Sequence, residues 1–474
     1  MPKSWKLALL AVGALLGIVL LGAAIMLLSW RGHAKAQVEA AASDALGMQV
    51  TVGGGLTMKF FPSIGMTLED VHIRSRETEF ASATRARLDI ELVSLLRRQV
   101  RIPNIELQHV TISVERGRDG KFNFEGPSPG TRAIPDIAST DVSLTDLTFI
   151  YTNRQEGGSV RAGGCNVRAR DLRVAATKGG ELMKNLSLSA QVSCEQITTR
   201  DLPMSDVEFA AESSKGVLEA RKVTLRAFGG QGSVAVRADF SGSVPAYRVH
   251  GVLSKLQLAE LSKNFSQKRI GEGLMDFSTD LTMSGTDADE MTRSSSGAAS
   301  LHGTGLTLDV GDLDDELSHY KSTQRFSLLD LGAFLLAGPI GLAVTKGYDY
   351  AKVIKGSGGS SRIQTFISEW QVERGVAQAR DVAMSTQANR VALKGNLDFV
   401  HHSFEDVTMA VLNKEGCATL EQKVHGSFGH PEVDKPNVLI ALAGPAVHLL
   451  NKAKHLVGAG HCEVFYTGSL PPPQ

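Results

Sequence analysis

Residues 51–73 read TVGGGLTMKFFPSIGMTLEDVHI. Two apolar runs flank a Phe61-Pro62 turn, and the stretch closes in Glu69-Asp70-Val71-His72-Ile73. An active-site loop would stand alone, whereas a building block would recur. The ending recurs as Thr145-Asp146-Leu147, Arg170-Asp171-Leu172, Ser205-Asp206-Val207, Arg380-Asp381-Val382 and Glu405-Asp406-Val407. Looser copies, His109-Val110-Thr111-Ile112 and Lys222-Val223-Thr224-Leu225, replace the Asp. Each copy runs polar, apolar, polar, apolar, the period of a strand with one buried face. The opening stretch therefore reads as the first hairpin of a repetitive sheet. Leu56, Met58 and Phe60 share one face, and Met66 and Leu68, with Val71, supply the return strand.

The same alternation fills residues 48–255 and 275–310 and returns at 362–430. Val234, Val236, Ala238 and Phe240 collect on one face, and Ala235, Arg237 and Asp239 on the other. Leu186, Leu188, Ala190, Val192 and Cys194 likewise oppose Ser187, Ser189, Gln191 and Ser193. Gly179-Gly180 and Gly229-Gly230 punctuate the runs. The copies are irregularly spaced, so the chain is not a solenoid of fixed period. An antiparallel sheet can meet water on one side and something apolar on the other. Two such faces packed together make a sandwich. One such face left open makes a groove. Period alone favours the sandwich.

Composition agrees with a β-rich chain. Of 474 residues, 48 are Gly and only 6% are aromatic, so turns are many and large anchors few. Lys+Arg and Asp+Glu are 50 each. That balance argues against a nucleic-acid binder, which needs a basic excess.

The N-terminus carries a different signal. The 24 residues from Leu7 to Trp30 contain no charge. As a helix they would reach ~36 Å, against a hydrocarbon core of ~30 Å. Trp5 and Trp30 bracket the run as interfacial aromatics do. Ala34-Lys35-Ala36 offers a signal-peptide cleavage pattern, but the apolar core is longer than such peptides use. An uncleaved anchor is expected, with the bulk of the chain translocated. The expected organisation is a cytoplasmic end at 1–6, an anchor at 7–30 and a β-groove at 31–255. A mixed segment with apolar helices at 256–360 and a β region with a closing helix at 361–474 follow. Helices are expected over 34–46, 256–270, 326–345 and 437–457.

Catalytic constellations are missing from the sequence. It has no H-E-x-x-H, no Walker loop and no G-x-S-x-G elbow. Gly356–Ser361 reads as a linker, because no Gly-Lys-Ser follows it. His401-His402 lacks further ligands at metal spacing. Asp312, Asp314, Asp315 and Glu316 read as the polar start of a helix. No enzyme, metal or cofactor is expected. The four cysteines, Cys165, Cys194, Cys417 and Cys462, suit disulfides in a translocated chain, and spacing alone leaves three pairings open.

The run from Ala36 to Glu125 resembles the N-terminus of the AsmA family. The features are a single span, a short helix ending in ALG, a G-L-x-x-x-x-F-P-x-x-G turn leading into L-E-D-V, and a D-G-K-F-N-F segment. CATLEQKVHGSFGHP from Cys417 and CEVFYTGSLP from Cys462 are similar to that family's closing segments. The resemblance implies a protein anchored in the bacterial inner membrane, its body in the periplasm, linked to outer-membrane biogenesis. It also implies a mainly β fold: one transmembrane helix, then a long curved antiparallel sheet with few flanking helices. The groove thereby becomes the favoured form, with phospholipid acyl chains as its content. Groove candidates are Leu56, Met58, Phe60, Leu186, Leu188, Val192, Val234, Val236 and Phe240. The resemblance pairs Cys417 with Cys462, and leaves Cys165 and Cys194 either bonded or free. The second reading is a non-transporting scaffold with outer-membrane or periplasmic protein partners.

Overall fold

The computed structural model describes residues 34–59, 64–75, 78–91, 103–123, 137–155, 157–174, 182–199, 202–263, 271–309, 311–315, 317, 359–435 and 462–473. The expected anchor at 7–30 and the helices at 326–345 and 437–457 lie outside them, as do Phe60 and the Phe61-Pro62 turn. Among the described residues no helix is long and apolar enough to cross a membrane. The protein is mainly β, with twenty strands assigned to one sheet and few helices. The chain divides into two compact units, residues 1–226 with 233–247, and residues 227–232 with 248–474.

The first unit opens with helix α1 (Ala34–Leu46), as the sequence predicts, and strand β1 (Gln49–Val52). β1 pairs with β3 (Ile64–Ser75), and its outward N–H groups turn to the helix. Val50 N–H donates to Ser43 Oγ at 2.9 Å, and Val52 N–H to Glu39 Oε1 at 2.7 Å. A free strand edge is a template for aggregation, and α1 closes this one. β2 (Leu56–Lys59) lies along the same side of β3, with Leu56 opposite Leu68 and Met58 opposite Met66, so the opening stretch is the hairpin it resembles. Gly54 lies between β1 and β2, where a Cβ would stand 2.9 Å from the Glu69 carbonyl oxygen.

Strands β4 (Thr78–Ile90) and β5 (Asn104–Arg116) continue antiparallel. β6 (Ile137–Asn153) then pairs parallel to β5, Asn104 opposite Asp141 and Arg116 opposite Asn153. This corrects the expectation of an antiparallel sheet throughout. Residues 117–136 must return the chain along the whole strand, and a crossover needs a dozen residues or more. β7 (Gly158–Val174), β8 (Leu186–Thr199) and β9 (Pro203–Ser214) follow antiparallel. Cys165 faces Cys194 across β7 and β8, and the two are bonded, with Cα atoms 4.0 Å apart.

The recurring motif has a backbone cause. Val71 lies three positions after Leu68, so in a regular strand they would point to opposite faces. Both are buried, at 2% and 7% exposure, while Glu69 and Asp70 between them are exposed. Asp70 adopts a left-handed φ of 56° and drops out of the ladder: Glu69 faces Arg85 and Val71 faces Ala83. One residue removed from the count returns Val71 to the face of Leu68, as bulges do. His109, Asp146, Asp171, Asp206 and Asp406 repeat the conformation with φ of 49–54°. Asp tolerates this region because its short side chain bonds locally. Gly164, Lys255 and Gly305, at 61°, 57° and 62°, are further copies in Gly-Cys-Asn-Val, Lys-Leu-Gln-Leu and Gly-Leu-Thr-Leu. Their Gly and Lys hid them from a search for Asp.

β10 (Val217–Ala227), β11 (Gly230–Asp239) and β12 (Ala246–Gln257) are the next strands. The helix expected from Leu256 starts later: Leu256 lies in β12, which runs to Gln257, and among the described residues the helix covers Leu258–Ser262. The Lys255 bulge returns Leu256 to the core side of the strand three positions after Leu253, and that spacing, followed by Leu258 and Leu261 in the helix, mimics a longer helix.

In the second unit β13 (Gly271–Ser284), β14 (Ser296–Leu308), β15 (Ser361–Glu373), β16 (Val376–Ser385), β17 (Arg390–Asp398), β18 (Ser403–Leu412) and β19 (Ala418–Ser427) pair antiparallel in chain order. One face packs Met275, Leu301, Phe366, Trp370, Val407 and Met409 into a core. On the other face Ala383, Ala392 and Ala410 stand side by side, and Tyr466 and Leu470 cover them. Cys462, which begins that C-terminal strap, is bonded to Cys417 as the resemblance implies. Asp312 caps the turn after β14, accepting from the N–H groups of Asp314 and Asp315 at 3.1 Å, so the acidic cluster is a helix start.

Candidate functional site

The register of the first unit lines its apolar residues into rows. Leu56, Leu68, Ala86, Leu107, Leu144, Val167, Val192 and Phe209 are successive cross-strand neighbours from β2 to β9. Met58, Met66, Leu88, Ile105, Val142, Ala169, Ala190 and Ala211 form a second row. Both rows lie on one side of the bulges, which keep the same face apolar beyond them, in the row Val71, Ala83, Val110, Leu147 and Cys165.

Burial changes along the rows. Met66, Leu68, Leu88, Ile105, Leu107, Val142 and Leu144 are at most 4% exposed. From β7 onward Val167, Ala169, Val192 and Phe209 are half-buried, while Ala190 and Ala211 stay buried. The face is thus closed over β3 to β6 and partly open over β7 to β9. Burying each apolar side chain is worth roughly 1.5–3 kcal/mol, so a half-buried row leaves apolar area for another molecule to cover. The opposite side of the same strands is hydrophilic, with Ser143, Asn166, Gln191, Ser193 and Glu208.

The nine groove candidates fall as follows. Leu188 and Val192 are half-buried on β8, and Leu186 at its start is 2% exposed. Leu56 and Met58 are half-buried on β2. Val234 and Val236 are half-buried on β11. Phe240 is buried with its ring edge-on to Tyr247, 6.0 Å between centroids. Phe60 lies outside the described residues. Val167, Ala169 and Phe209 were not singled out from the sequence. Phe209 follows the Ser205-Asp206-Val207 copy, and that copy was the available signal.

The polar face carries hydrogen-bonded histidines. His72 bridges Glu79 (2.6 Å from Nδ1) and Asp70 (2.9 Å from Nε2), and the Glu79 bond lifts its pKa above the ordinary value. His401 Nδ1 meets Asp398 at 2.5 Å, which also raises it. Among the described residues no group of three His, Cys, Asp or Glu side chains could hold a metal ion.

The C-terminal strap closes a separate polar centre. Tyr466 Oη donates to Asp381 Oδ1 at 2.5 Å, and Ser469 N–H and Oγ donate to Asp381 Oδ2 at 2.8 and 2.7 Å. Arg390 donates to the Leu470 and Asn413 carbonyls at 2.8 and 3.0 Å and lies over the Tyr466 ring. Burial, with the Asp381 bond, pushes the Tyr466 phenol far above its usual range. Asp381 is itself a copy of the recurring motif, yet its φ is not left-handed, and its buried side chain serves the strap.

No curated protein and no solved structure matches the chain. The AsmA family model matches residues 1–128, which include α1 and β1 to β5. The closing segments at Cys417 and Cys462 lie beyond that match. The resemblance read from Ala36 to Glu125 is borne out by that match, which spans the same stretch.

Proposed function

We propose that the protein binds phospholipid acyl chains on the partly open apolar face of the first unit and serves lipid movement in the bacterial envelope. The carrying observation is the row Leu144, Val167, Val192, Phe209, aligned by register and passing from buried to half-buried. Acyl chains need such a surface and no directional bonds. In this reading residues 7–30 anchor the chain in the inner membrane and the strands lie in the periplasm. Two disulfides support an oxidising compartment. The AsmA-family match of the N-terminal stretch supports an envelope role.

The test is lipid extraction and native mass spectrometry on the purified full chain. Wild type should carry phospholipid. Val192→Asp and Val236→Asp should lower the bound lipid severalfold, and Ser193→Asp on the polar face should not. No lipid in wild type, or equal lipid in all four proteins, would sink the proposal and favour a scaffold that recruits protein partners instead.

A further inference from the structure

Strand β7 carries four arginines, Arg161, Arg168, Arg170 and Arg173, on its polar side. Arg173 reaches Asp171 at 3.6 Å. The other three make no ion pair or hydrogen bond among the described residues, although other charges of the unit do: Arg226 with Asp206, and Arg237 with Glu219. Their cross-strand neighbours explain this. Arg168 faces Ser143 and Gln191, Arg170 faces Ser189, and Arg161 faces Ile150 and Thr198. The sequence places neutral side chains where acids would otherwise quench the guanidinium groups.

Arg168 also borders a cleft of about 760 Å³ spanning β6 to β10. Its floor is short and hydroxylic, with Ser143, Thr145, Ser193 and Thr224, and its walls are Arg168, Gln191, Glu208 and Lys222. Lys222 is likewise without an ion pair. It lies three strands from Arg168, ~14 Å at the usual strand spacing. Leu144, Val192 and Phe209 of the row also border the cleft, but strand alternation gives most of its lining to polar side chains.

We propose that this cleft binds a phosphorylated polyol. Arg168 supplies a planar fork that fits phosphate oxygens, and Lys222 adds a point charge at the far wall. Ser, Thr, Asn and Gln side chains and the Glu208 carboxylate pair with hydroxyls, which a bare anion would leave unused. The site draws mainly on polar side chains and does not depend on the proposed lipid surface.

Calorimetry on the full chain at 150 mM salt tests it, with myo-inositol hexakisphosphate as probe. The probe should bind at least tenfold more tightly than inorganic phosphate, and unphosphorylated inositol should not bind. Arg168→Ala with Lys222→Ala should weaken binding tenfold or more, and Arg168→Lys severalfold, because an ammonium cannot fork. Val236→Asp, on β11 and outside the cleft lining, should leave it unchanged. A hexaglutamate peptide that binds as tightly would reduce the site to charge alone and overturn the proposal. Unaltered binding in the double variant, with thermal unfolding unchanged, would overturn it too.

Discussion

Strands β7 to β9 and strands β16 to β18 are built from the same one-sided alternation, yet they finish differently. Around β8, Val192 is half-buried on the apolar face, and the reverse face is hydrophilic. Around β17, the core face holds Val407 and Met409 at 0% exposure, and the reverse face holds Ala392 at 0% beneath the C-terminal strap. The difference is one added layer. Alanines at 383, 392 and 410 leave room for Tyr466 and Leu470, and Asp381 and Arg390 fix the strap by hydrogen bonds. A sheet covered on both sides is a structural element. A sheet with one apolar side partly uncovered has surface left to give to a ligand.

The sharpest way to break this comparison is to put the same charge in both places. Val407→Asp should destabilise the second unit by about 4 kcal/mol or more, because a carboxylate would enter a packed core without a partner. Val192→Asp should cost about 1–2 kcal/mol, since its side chain can reach water. Urea unfolding followed by Trp370 emission, which reports the buried core of the second unit, checks the first. Far-UV circular dichroism checks the second. Similar losses at the two sites would mean that the β8 face is as closed as the β18 face.

A smaller effect tests the added layer. Asp381→Ala should cost about 3 kcal/mol, because Tyr466 and Ser469 lose their acceptor while Arg390 stays buried. Proteolysis should then cut within 462–473 more readily than in wild type. A strap as resistant as before would show that the Cys417–Cys462 bond alone retains it.

The bulges join the two regions, and they offer a milder test. Asp206→Val should cost about 1–2 kcal/mol, the penalty of a left-handed β-branched residue, and Asp206→Gly should cost little. Asp381→Gly, at the motif copy without the left-handed φ, should remain costly. Equal responses to Gly at both positions would refute the distinction between a backbone Asp and a side-chain Asp.

These positions also show what the sequence exposes. The Asp-Val-x-apolar recurrence is legible because left-handed φ narrows the choice of residue. Its use as a face-switch is not, since alternation templates assume an unbroken period of two. Leu256 was misread as helical for that reason. The parallel β5–β6 pair is also hidden, because strand direction depends on where the 117–136 connection returns. Half-burial at Val192 and Phe209 needs the neighbours in space, so periodicity can nominate Val192 but cannot say that Leu186, on the same strand, is sealed.

The smallest expected effect concerns His72, in the stretch that first suggests the fold. Its two carboxylate partners lift its pKa above the ordinary value, with Glu79 across the β3–β4 hairpin as the larger cause. A raised folded-state pKa means that the protonated ring stabilises the folded form. That contribution is fully present below the unfolded value of about 6.5 and disappears as pH rises through the lifted folded value. The stability difference between wild type and His72→Gln should therefore shrink on going from pH 6 to pH 8. His72 is solvent-accessible, so added salt should diminish the difference at pH 6 as well. A difference that grows with pH would mean that the folded form favours the neutral ring.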